Sequence, residues 1–85
     1  MASKREIKKD IKEMVYDIMD DCDFYVVSKS KSADAAEALM DEAVGYHEMM
    51  MAKIRATKDK AGFRALRVQL EEDAIGFVNK INDLA

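Results

Sequence analysis

Apolar residues in this chain recur at alternating steps of three and four along three long stretches, and no proline interrupts any of them. That spacing is the period of a helix with one apolar face, not the strict alternation of a half-buried strand. The first stripe is Ile7, Ile11, Met14, Ile18, Cys22 and Tyr25, with Val15 and Val26 beside it. The second is Ala36, Leu39, Met40, Ala43, His47, Met50, Met51 and Ile54. The third is Phe63, Leu66, Leu70, Ala74, Phe77, Val78, Ile81 and Leu84. Three amphipathic helices joined by short turns predict an all-α fold, an up-down-up antiparallel three-helix bundle forming one domain over 1–85.

The helix ends carry signals of unequal strength. Ser3 with Glu6 spells a capping box for the first helix. The serine-rich run 28–32 reads as a turn, because serine side chains compete for backbone hydrogen bonds. The second helix should start near Ser32 or Asp34, where Asp34 with Glu37 offers a second capping box. The break before the third helix is marked only by Thr57, Lys58, Asp59, Lys60 and Gly62. A turn near residues 57–61 is favoured, since a helix running straight through would switch its apolar face halfway along. The alternative is one long helix whose two faces serve two partners, as in a domain swap.

With 49% hydrophobic and 36% charged residues, the chain suits a helical globular domain and not a disordered one. At 85 residues it buries only about 60–65% of its unfolded surface, so its core has little surplus and self-association is expected to help. Cys22 is the one cysteine, which excludes an internal disulfide and fits a reducing compartment. The charged opening does not resemble a signal peptide, and no apolar run could span a bilayer. A cytoplasmic protein without a membrane partner is the expectation.

Net charge is −3, but folding should sort it. An up-down-up bundle brings residues 1–13 and 50–67 to one end. That end holds eleven basic and four acidic residues, net +7, and the rest of the chain is net −10. The plain reading is solvated charge; the sharper one is a surface for an anionic partner, or for head-to-tail contact between molecules. Its members would be Arg5, Lys8, Lys9, Lys12, Arg55, Lys58, Lys60 and Arg64. Nucleic acid is one such partner, although no aromatic interleaves the lysines and no nucleic-acid-binding motif is recognisable.

Residues that could carry chemistry lack companions. A di-iron bundle needs an acid three residues before its histidine, where this chain has Val44 before His47. A zinc HExxH motif needs a second histidine where Met51 stands. His47 therefore reads as a histidine at the core edge. Asp17, Asp20, Asp21 and Asp23 lack the spacing, glycine and terminal glutamate of an EF-hand, and read as a solvated face. Cys22 has no basic activator and reads as a small buried hydrophobe. No catalytic residue, metal ligand or cofactor is expected.

Several large apolar residues fall off the stripes: Tyr16, Phe24 and Val27 on the first helix, Met49 on the second, Val68 and Ile75 on the third. Met49-Met50-Met51 spans about 200° of helix circumference, too wide for one core. Ala38, Gly45 and Ala52 leave a low surface beside Met49 that a second helix could approach closely. Met49, Val68, Ile75, Gly45 and Ala52 are therefore candidate contacts in a homo-oligomer, a dimer first, against a reading of scattered surface hydrophobes.

The opening Lys4-Arg5-Glu6-Ile7-Lys8-Lys9-Asp10-Ile11 resembles the start of an uncharacterised family of small helical proteins from gut anaerobic bacteria. The resemblance implies a helical fold and no activity. The function expected is that of a small, non-enzymatic interaction or structural module that self-associates. The alternative is a binder of anionic partners, and a metal-binding or enzymatic bundle comes third.

Overall fold

Among the described residues the chain forms three helices: α1 (Lys4–Val27), α2 (Ala33–Ala56) and α3 (Lys60–Leu84). The structure, a computed structural model, describes residues 4–28 and 31–84. The capping box at Ser3 lies outside the described residues. Helix α1 ends where the serine run begins: the Ser28 amide donates to the Phe24 carbonyl at 3.0 Å, and its hydroxyl donates to that of Tyr25.

Helix α2 starts at the expected place, beside Ser32, but the Asp34–Glu37 capping box is corrected, because Asp34 already lies inside the helix. Ser32 is the residue before the helix, and its carbonyl takes the Ala36 amide at 2.8 Å. Asp34 sits in the first turn, where its charge favours the positive end of the helix dipole. The Ser32 hydroxyl does not cap α2. It donates instead to the carbonyl of Leu84 at 2.6 Å, so the start of α2 is tied to the last turn of α3.

Between α2 and α3 the chain does turn, and no continuous helix forms. The Thr57 amide and hydroxyl both close on the carbonyl of Lys53. Extended backbone at Thr57, with φ −85° and ψ 130°, then carries the chain out of the helix. Asp59 starts α3: its carboxylate accepts from the Gly62 amide at 2.7 Å, and its carbonyl from that of Phe63. A β-carbon on Gly62 would lie 2.6 Å from the Thr57 methyl and 3.0 Å from the Asp59 carboxylate. A side chain there would force Thr57 and Asp59 to shift, which favours glycine in this tight turn.

The helices run up, down and up. Lys53 meets Gln69, and Glu42 meets Lys80, contacts equally spaced along α2 and α3 and possible only if the two are antiparallel. Asp10 on α1 pairs with Arg67 on α3 at 3.0 Å, near the start of both. The core is continuous: Ile7, Ile11, Val15, Ile18 and Cys22 from α1; Ala36, Leu39, Ala43, Met50 and Ile54 from α2; Leu66, Leu70, Phe77 and Leu84 from α3. Small side chains at Cys22, Ala36 and Ala43, all fully buried, accompany the most extensive of the three helix contacts, α1 with α2. Helix α3 is the shallowest, since none of its core residues is fully sealed.

Several stripe members sit at the edge of the core. Met14, Tyr25, Met40, Met51, Phe63 and Ile81 are half-buried and pack against it. Val78 is a correction: it is 53% exposed. It follows Phe77 by about 100° around the helix, and the larger ring takes the inward position. Tyr16, Phe24, Val27, Met49, Val68 and Ile75 are exposed, as their spacing predicts, and Val44 joins them.

Candidate functional site

Three surfaces stand out once the bundle is assembled. The first is the basic end. All eight side chains expected there, Arg5, Lys8, Lys9, Lys12, Arg55, Lys58, Lys60 and Arg64, are exposed. Arg67, at the same end, is engaged by Asp10, and Lys53 donates to Gln69 at 3.2 Å. Lys9 lies 3.9 Å from Glu13, a solvated pair of little energetic weight. Acidic residues dominate the rest of the molecule, and Asp17, Asp20, Asp21 and Asp23 are all open to solvent.

The second surface is a cleft of about 350 Å³ between α2 and α3. The register fixed by Glu42 and Lys80 sets Gly45 on α2 across from Gly76 on α3. Beyond their own stretch of helix, neither glycine has an atom within 4 Å of where a β-carbon would stand, so both open onto the cleft. Met49 and Phe77 form its apolar walls, and Glu42, Glu72, Asp73 and Lys80 line it too. Tyr46 stacks edge-on against Phe77 at 5.4 Å. Its hydroxyl is screened from solvent beside Asp73, without closing a hydrogen bond of normal geometry. Burial first, and then the Asp73 carboxylate, push the phenol well above its ordinary pKa.

The third surface is a groove of about 350 Å³ between α1 and α2, on the side away from α3. Val15, Tyr16, Met19 and Val44 make it apolar, while Lys12 and His47 edge it. The Lys12 ammonium lies 5.7 Å from the centre of the Tyr16 ring. The groove occupies the middle of both helices, roughly equidistant from the basic and the acidic ends.

These surfaces divide the residues expected to mediate self-association. Gly45 and Met49 belong to the α2–α3 cleft. Ala52 is exposed on α2, and Val68 and Ile75 face outward from α3, roughly opposite its core stripe. They do not form one patch. The groove around Tyr16 and Val44 was not legible as a site, because Val44 acquires meaning only when α1 is laid beside it. Tyr46, Asp73 and Gly76 were missed for the same reason.

Cys22 is fully buried, and burial, with a smaller contribution from Asp21, pushes its thiol pKa up, opposite to what a nucleophile requires. Among the described residues no group of three or more histidine, cysteine, aspartate or glutamate side chains converges to hold a metal ion. Among them, too, no helix is long and apolar enough to cross a membrane. No protein-family model matches the chain, and neither does any curated protein or solved structure compared with it.

Proposed function

We propose that this protein is a small non-catalytic interaction module that assembles with copies of itself, in the cytoplasm. One observation carries the reading: large apolar side chains between 40% and 72% exposed occur on every helix, at Tyr16, Phe24 and Val27, Val44 and Met49, and Val68, Ile75 and Val78. The accessible surface of 5822 Å² also exceeds the ~5100 Å² of a typical compact monomer of 9.6 kDa. A rod of this shape has more uncovered apolar surface than a core of this size needs, and a second copy is the simplest cover.

Sedimentation across a concentration series is the test. A species heavier than the monomer, persisting at raised salt, is the expected result. A lone monomer at high micromolar concentration overturns the reading.

The eight exposed cations of the basic end favour a second reading, a dock for an anionic partner. Binding of a short single-stranded oligonucleotide, lost as salt screens the charges, would support it. A salt-resistant assembly with no oligonucleotide affinity would leave the first reading alone. The kinship with small helical proteins of gut anaerobes, proposed on Lys4–Ile11, is compatible with either.

A further inference from the structure

Between residues 9 and 23, the positions of α1 closest to Tyr16 around the helix carry a charge pattern that reads the same in both directions with its sign reversed; Glu13, which pairs with Lys9, lies about 60° off that line. Lys12 and Lys9 stand four and seven residues before Tyr16, and Asp20 and Asp23 stand four and seven after it. Steps of four and seven keep all five on one side of a helix, within about 40° of Tyr16. All five are exposed, and α1 is unbroken across them. Tyr16 is also the wall of the apolar groove that Val44 closes from α2. An apolar centre with opposite charges placed symmetrically about it is self-complementary under one operation, a two-fold axis crossing the helix at Tyr16.

We infer that the partner of the α1–α2 groove is a second copy of this chain, docked antiparallel about that axis, with Lys12 facing Asp20 of the other copy and Lys9 facing Asp23. The inference rests on the self-association proposed above and names its surface and geometry. The whole molecule agrees with it. Because the groove lies at mid-length, the axis sets the end of net charge +7 on one copy against the acidic end of the other, twice over. Pairing the same faces in parallel would stack basic end on basic end. One side of a rod 45 × 18 Å presents about 800 Å², the share one partner buries in a stable interface of standard size. An isologous contact of this kind closes at two copies.

The test uses the full chain and begins with wild-type sedimentation. If that shows only monomer, the self-association reading fails and this inference with it. Given a wild-type dimer, Lys12→Asp should weaken it about tenfold, because each copy then presents an aspartate to Asp20 of the other. Asp20→Lys should do the same. The double variant K12D/D20K should restore association to within about threefold of wild type, since both reversed pairs are complementary again. All these positions are exposed, and helical circular dichroism checks that the fold is intact. Tyr16→Cys in a Cys22→Ala background should oxidise to a covalent dimer, whereas Ile75→Cys in the same background should not. A dimer indifferent to K12D, a double variant no better than the singles, or crosslinking at Ile75 alone would overturn the inference and leave self-association standing.

Discussion

Leu66, Leu70 and Phe77 are each 6% exposed, and they are the points at which α3 seals onto the α1–α2 pair. Truncating Leu70 to alanine should cost about 2–5 kcal/mol, from lost burial and the cavity left behind. A chemical denaturation midpoint unchanged by this substitution would place Leu70 outside the core. Tyr46 is a different case, since its ring packs on Phe77 while its screened hydroxyl lacks a well-formed hydrogen bond. Tyr46→Phe keeps the ring and removes a poorly satisfied group, so stability should hold or rise, by up to about 1 kcal/mol. A loss of that size would instead mean that the hydroxyl bonds Asp73. The same residue sets an alkaline limit. Its folded pKa lies above the ordinary value of 10, so the unfolded chain gives up this proton first. Its contribution is complete below about pH 10 and is lost as pH rises through the raised folded value. Denaturation midpoints of wild type should fall across that range more steeply than those of Tyr46→Phe.

At the scale of the helix, the three glycines make opposite predictions. Gly45 and Gly76 are helical, with open space where a side chain would begin. Alanine at either should stabilise by about 0.5–1 kcal/mol, because glycine loses more backbone freedom on folding. Gly62 has the same propensity deficit, yet its β-carbon would strike Thr57, whose hydroxyl is held by Lys53, and crowd the Asp59 carboxylate that caps α3. Gly62→Ala should therefore gain nothing or lose stability, and thermal melting of the three single variants reads the difference in sign directly. Helix α2 shows how far its own sequence goes. Its acidic start and basic end, Asp34 against Lys53 and Arg55, complement the dipole. Its cap did not follow from local pattern, because the Ser32 hydroxyl is drawn away by a carbonyl at the far end of the chain.

For the molecule as a whole, charge is sorted and apolar surface is not fully covered. Eleven basic residues gather where α1 starts, α2 ends and α3 starts, and only four acids accompany them. That separation followed from the up-down-up order alone, which made it legible before any contact was known. The expected oligomer contacts fared differently: Met49 and Gly45 line a cleft, while Val68 and Ile75 face outward from α3. Each was read as pointing off its stripe, but a period gives the angle of a residue on its own helix and not the neighbour it meets. Stability should not depend on a metal ion, since no ligand cluster converges among the described residues. Melting curves with and without a strong chelator should superimpose, and a large drop with chelator would reveal a site.

The sequence by itself determined where the three helices run, which face of each turns inward, that Cys22 and Met50 lie in the core, and that Tyr16, Met49, Val68 and Ile75 stay outside it. These properties follow from the 3.6-residue period and from the absence of proline, both local to one stretch of chain. Only the tertiary structure decided that Gly45 faces Gly76, that Tyr46 lies beside Asp73, that Ser32 reaches Leu84, and that Tyr16 and Val44 wall one groove. Each of these depends on the rotation and register of one helix against another. Packing of the whole stripe sets those, through side-chain volumes distributed over all three helices, and no single helix encodes them.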